Sequence, residues 1–186
     1  AVMNFLMFQS LQMMPVLAKD VMHVGPGLMG TLMAAEGLGA LVGSVLIASA
    51  AGLRYHGRVF LGGSLLASAT LLLLSLSHSY SLSMPMLLVL GLGTGAFGTM
   101  QSTIVILVAR EEMRGRALGV VAVAIGVSPF GSLLVGGVAA AVSPSFAVGL
   151  NGGLALGFLL LIGMLMPSIL RRIDIERPQD ERRGFD

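Results

Sequence analysis

Between Pro26 and Ala51 the chain reads PGLMGTLMAAEGLGALVGSVLIASAA, and its one charged side chain is Glu36, near the middle. A helix of ~20 apolar residues, rising ~1.5 Å per residue, matches the ~30 Å hydrocarbon core of a bilayer. An acid at that depth costs roughly 2.5–3.5 kcal/mol or more, so such acids turn away from lipid and serve a task. Glu36 shares a helix face with Gly39, Ala40 and Gly43. Small residues there admit a second helix at close range. The acid is therefore expected to face protein or a cavity, which points to transport.

Composition agrees with a membrane protein. The 186 residues are 55% hydrophobic and 11% charged, with a mean hydropathy of +0.93. Soluble domains carry ~25% charged residues, so this chain lacks the polar side chains to cover a water-facing surface. Five further apolar segments join the first, giving Ala1–Leu17, Pro26–Ala51, Val59–Leu76, Met84–Val108, Ala117–Val142 and Phe146–Ile169. Backbone groups in lipid must be bonded within the segment, and barrel strands alternate over ~10 residues, so these are read as helices. The expected fold is an all-α membrane protein with six spans at 1–170 and a charged tail at 171–186. The chain begins inside an apolar run, with neither a basic region before it nor a cleavage pattern after it. It is read as a piece of a longer protein without a signal peptide.

All but one of the eleven Lys and Arg residues fall in alternate loops and the tail. These are Arg54 and Arg58, then Arg110, Arg114 and Arg116, then the five arginines after the sixth segment. By the positive-inside rule that side is the cytoplasm, with the C-terminus on it. The net charge of +2 follows from this distribution, and nothing calls for nucleic acid. The absence of cysteine removes disulfides and thiolate metal sites from consideration.

Asn4, Phe5, Phe8, Gln9 and Gln12 fall within about 140° of the first helix. Such a stripe suits either the wall of a cavity for amphiphilic molecules or hydrogen bonding between helices. Thr94, Phe97 and Gln101 mark a second candidate wall on the fourth segment. Gly93 to Gly98 fits G-x-G-x-x-G, but it lies inside one apolar span, without the strand and distal acid a dinucleotide site needs. Arg110, Glu111, Glu112, Arg114 and Arg116 form a mixed-charge loop, read as a solvated loop or a cytoplasmic gate. Pro129 is expected to kink the fifth span. The third and sixth segments read as peripheral helices, with a contact ridge at Gly149, Gly153 and Gly157. Asp20 and His23 read as a loop contact, so no metal or cofactor is expected. No nucleophile, metal set or paired acids lie in the spans, so the chain is not read as an enzyme.

The segment Glu112-Met113-Arg114-Gly115-Arg116-Ala117-Leu118-Gly119 resembles the R-G-R-x-x-G segment that opens span eleven in exporters of the major facilitator superfamily. Gly91-Leu92-Gly93-Thr94-Gly95-Ala96-Phe97-Gly98-Thr99-Met100-Gln101 is similar to the drug and siderophore branch, which includes enterobactin exporters. Gly37-Leu38-Gly39-Ala40-Leu41-Val42-Gly43 looks like its span eight. The loop from Ala50 to Arg58 departs from the family's G-x-x-x-D-R-x-G-R: it keeps Gly57-Arg58 but has Arg54 for the acid and Tyr55 for the arginine. The resemblance implies spans seven to twelve of a twelve-helix bundle whose halves rock around a central cavity. It also implies cavity-facing Gln9, Gln12, Glu36 and Gln101, and proton-driven export.

The leading expectation is a secondary exporter in a bacterial plasma membrane, partnered by the missing N-terminal six-span half and taking a small amphiphilic substrate. Glu36 serves there as the proton-coupling or substrate-cation group. The alternative is a six-span interaction module, or a half-transporter that assembles with a separate partner.

Overall fold

The computed structural model describes residues 2–49, 56–109 and 111–165. The tail at 171–186, Arg54 and Arg110 lie outside the described residues. No strand occurs among the described residues. The chain forms α1 (3–21), α2 (Pro26–Ser49), α3 (His56–Ser75), α4 (Tyr80–Val108), α5 (Arg114–Gly126), α6 (Ser128–Ala141) and α7 (Pro144–Leu165). Five helices are long and apolar enough to cross a membrane, with Glu111–Ala141 counted as one of them.

The first expected span is helical but divided. π-helical turns at Met3–Met7 and Leu17–Val21 flank α-helical pieces at Phe8–Leu11 and Met14–Val16. Pro15 explains the break after Leu11: it donates no N–H, and its ring crowds the carbonyl four residues back. The Gln9 side-chain amide also donates to the Asn4 carbonyl at 3.2 Å, across the first π-helical turn. The fifth span parts as expected at Pro129, with Val127 between α5 and α6. At the start of α7, Pro144 suits a first helical turn, and Ser143 Oγ accepts from the Phe146 N–H at 3.2 Å.

Small residues set the helix crossings. α4 packs against α2 and α3, α3 also packs against α7, and α7 packs against α6. Gly39 of α2 meets Gly91 of α4 backbone to backbone, Gly95 of α4 meets the Ala40 backbone, and a Cβ on Gly43 would lie 2.5 Å from the Leu92 carbonyl oxygen. On the other side of α4, a Cβ on Gly93 would lie 2.7 Å from the Gly63 oxygen. Gly93 and Gly95 thus serve two helix contacts, and the G-x-G-x-x-G stretch lies within one helix.

The expected ridge on α7 is corrected. Gly149 is in close contact, its added Cβ lying 2.6 Å from Ser75 Oγ, but the next close contact is at Gly152, whose added Cβ would lie 2.9 Å from the Leu72 nitrogen, and not at Gly153. Gly157 faces open space. The buried stripe runs through Val148, Gly152, Ala155 and Leu159, one residue round the helix from the expected line.

The outward surface is apolar. Val123, Phe130 and Leu133 are 70%, 68% and 74% exposed, as suits lipid or an apolar partner rather than water. Within the bundle, Asn151 of α7 donates to Ser10 Oγ at 3.1 Å, and both residues are buried. Ser10 still donates to the Leu6 carbonyl at 3.0 Å, so Asn151→Leu should lower stability by only ~0.6 to ~1.7 kcal/mol. Thermal unfolding in detergent checks this, and an unchanged midpoint would assign that bond no net stabilising role.

Candidate functional site: a central cavity and its acid

Glu36 lies on the α2 face that meets α4, as its spacing with Gly39, Ala40 and Gly43 suggested. It is half-buried. Its Oε1 accepts from Thr94 Oγ1 at 3.3 Å, and the same hydroxyl lies 2.9 Å from the Gly91 carbonyl oxygen. Thr94 was expected on the cavity wall with Phe97 and Gln101. It is instead buried against Glu36, because the close α2–α4 crossing covers that turn of α4.

The carboxylate borders a chamber of about 110 Å³, formed by α1, α2 and α4. Leu11 and Met33 line that chamber and also a second, larger cavity of about 640 Å³. Ligand pockets commonly run ~300–1,000 Å³, so the larger one has room for a small organic molecule. It is lined by Asn4, Phe8, Gln9 and Gln12 from α1 and by Phe97, Gly98 and Gln101 from α4. Val121, Ile125 and Ser128 border it from the fifth span, and it remains open on one side. The two stripes expected from the sequence therefore meet in one cavity. Phe5 is not part of that wall; its carbonyl packs against Gly131 of α6.

A further concavity of about 480 Å³ shares Asn4, Phe97, Gln101 and Val121 with the larger cavity. Phe97 stands between the two. Its ring centroid is 5.9 Å from that of Phe8 at 49°, and 5.1 Å from that of Phe60 at 35°. Tilted ring pairs of this kind attract beyond their area burial. Phe60 was missed in the sequence because the apolar segment Val59–Leu76 shows nothing ionisable and reads as peripheral. Gln9 also accepts a hydrogen bond from Ser132 of α6. Its amide thus belongs both to the cavity wall and to an interhelical contact, the two readings the sequence left open.

Of the mixed-charge loop, the described residues give one ion pair. Arg114 Nη1 meets Glu111 Oε1 at 3.4 Å. Exposed pairs of this kind contribute ~0–1 kcal/mol. Glu112 and Arg116 are exposed, and Arg114 Nε is buried without a hydrogen-bond partner. Phe60, Val120 and Ile162 border one concavity, which brings the arginine-bearing ends of α3 and α5 to the same end of the bundle.

The arrangement offers an acid beside a small apolar chamber, next to a larger cavity of amides and aromatic rings. Compared with known families, residues 1–184 match the Major Facilitator Superfamily. No curated protein and no solved structure matches the chain.

Proposed function

The chain belongs to the major facilitator superfamily of membrane transporters, and from that premise we propose that it is the C-terminal half of a proton-coupled exporter. Its substrate class is small amphiphilic organic molecules of the drug or siderophore type. The observation that carries this reading is the pairing of Glu36 with the cavity of about 640 Å³. Aromatic rings at Phe8 and Phe97 suit the apolar part of such a molecule, and Asn4, Gln9, Gln12 and Gln101 suit its polar groups.

Coupling follows from exclusive use of one carboxyl group. Glu36 carries a proton in one facing state and releases it in the other, as the two halves rock around a fixed site. Substrate occupies the cavity in alternation with the proton. The loop from Arg110 to Arg116 serves in this reading as the cytoplasmic gate. The arginine distribution favours a cytoplasmic C-terminus, and a bacterial plasma membrane is the proposed location. The partner is an N-terminal six-span half.

Transport by the full-length protein tests the reading. In everted vesicles with an acidic lumen, a fluorescent amphiphile is expected to accumulate, and to fall to the control level when an ionophore collapses the gradient. Equal accumulation with and without the gradient rejects proton coupling. No accumulation of any amphiphile in a panel rejects export of this class.

A further inference from the structure

The small chamber differs chemically from the cavity beside it. Its lining is aliphatic or thioether except for Glu36, with Met14, Met29, Leu32 and Leu87 on its walls. It contains no ring and no amide among its lining residues. Among the described residues, Glu36 Oε1 receives the Thr94 hydroxyl, and no group donates to Oε2. The chamber therefore offers one anionic acceptor in apolar surroundings.

That chemistry selects its occupant. A bare primary ammonium carries three N–H donors; the carboxylate can accept two of them, and the third faces only aliphatic and thioether walls. Burying polar groups without partners is unfavourable. A tertiary ammonium has one N–H, which the carboxylate satisfies with no donor left over. A quaternary ammonium has none, and its methyl groups suit leucine and methionine walls. Methionine is unbranched and polarizable, so it adapts to different alkyl substituents.

Size adds a second limit. A ~150 Å³ apolar cavity admits benzene, so a chamber of about 110 Å³ admits a group somewhat smaller. Leu11 and Met33 border both spaces, so a molecule with its head in the chamber passes between them to lay its body in the larger cavity. Met33 is 50% exposed and can swing on its flexible stem.

We propose that the chamber at Glu36 is a head-group subsite for compact tertiary and methylated quaternary ammonium ions, with Leu11 and Met33 setting the largest head that enters. This deepens the export reading, since it rests on the adjoining cavity being the substrate site.

The test is equilibrium binding to the purified full-length protein. The probes share a naphthylethyl body and differ in the head: ammonium, dimethylammonium, trimethylammonium, tributylammonium and the neutral tert-butyl group. The dimethylammonium and trimethylammonium probes should bind about tenfold tighter than the other three: ammonium is disfavoured by its unpaired donor, tributylammonium by its size and tert-butyl by its lack of charge. Met33→Ala should raise the affinity for tributylammonium about tenfold relative to that for trimethylammonium, a change opposite in sense to the parent's order of preference. Leu11→Ala provides a second variant on the same wall should the first fail to fold. Glu36→Gln should remove the preference for trimethylammonium over tert-butyl.

Equal affinities across the heads overturn the subsite. So does a tributylammonium probe still excluded from both folded wall variants. Export and subsite fail separately. Gradient-driven transport with a flat head-group series sinks the subsite alone. A selective series without gradient-driven transport leaves the subsite standing and sinks proton-coupled export.

Discussion

Gly91→Val is expected to prevent stable assembly of the bundle, with a loss of ~3 kcal/mol or more, at or beyond the upper end of common overpacking costs. A Cβ on Gly91 would run into the Glu36 carbonyl oxygen, and it would lie 2.8 Å from the Ala40 nitrogen and 2.9 Å from the Gly39 Cα. All three are backbone atoms of α2, so no rotamer change relieves the clash. The helices must separate. Separation forfeits the close contacts at Gly39, Gly43 and Gly95 as well. In lipid that contact is the main source of helix association, because the surrounding tails are as apolar as the side chains. Separation also pulls Thr94 from the Glu36 carboxylate, now 3.3 Å away.

Gly37→Ala and Gly98→Ala are the controls. Both positions open onto space with nothing within 4 Å of an added Cβ. Replacing a helical glycine by alanine there should stabilise by ~0.5–1 kcal/mol. Detergent-extracted protein, followed by thermal unfolding and size exclusion, separates the outcomes. A monodisperse Gly91→Val protein with an unchanged midpoint would contradict the described α2–α4 crossing.

How much of this was legible beforehand depends on the range of each interaction. The helix faces were legible, because Glu36 with Gly39 and Gly43 is a spacing within one helix. The stripe of Asn4, Phe8, Gln9 and Gln12 was legible for the same reason. Thr94 was misplaced because its position on α4 was right but its neighbour was unknown: α2 covers it, while Phe97 and Gln101 line the cavity. The pairs Gln9–Ser132 and Asn151–Ser10 join residues far apart in sequence. No local pattern singles out one serine among many as a partner. Phe60 was hidden likewise, since a lone aromatic on an apolar helix carries no sign that it stacks on Phe97. The division of α1 did have a local signal in Pro15. A helix-wide apolar pattern outweighed it in the reading, although proline removes a backbone bond wherever it sits inside a helix.

Glu36→Gln is expected to abolish the dependence of accumulation on the pH gradient while leaving the fold intact. Glutamine has nearly the same shape, and its amide oxygen can still accept the Thr94 hydroxyl, now 3.3 Å from Oε1. It cannot take up or release a proton. Among the described residues of the apolar segments, Glu36 is the one acid or base. If a single carboxyl exchanges one proton per substrate, each unit of pH difference supplies ~1.4 kcal/mol, or about tenfold accumulation. The sign follows from export. With the membrane potential clamped at zero, protons leave the acidic lumen of an everted vesicle as a neutral substrate enters it. For such a substrate, the logarithm of the accumulation ratio should rise by about one per pH unit in the parent protein. In the variant the same plot should be flat, with residual entry ending at equal concentrations. Glu36→Asp keeps a titratable group and should keep the slope while transporting more slowly. A variant that still concentrates substrate about tenfold per unit would assign coupling to another group. The Asp variant with normal assembly and no slope would tie the mechanism to the reach of the longer side chain, which brings the carboxylate to Thr94.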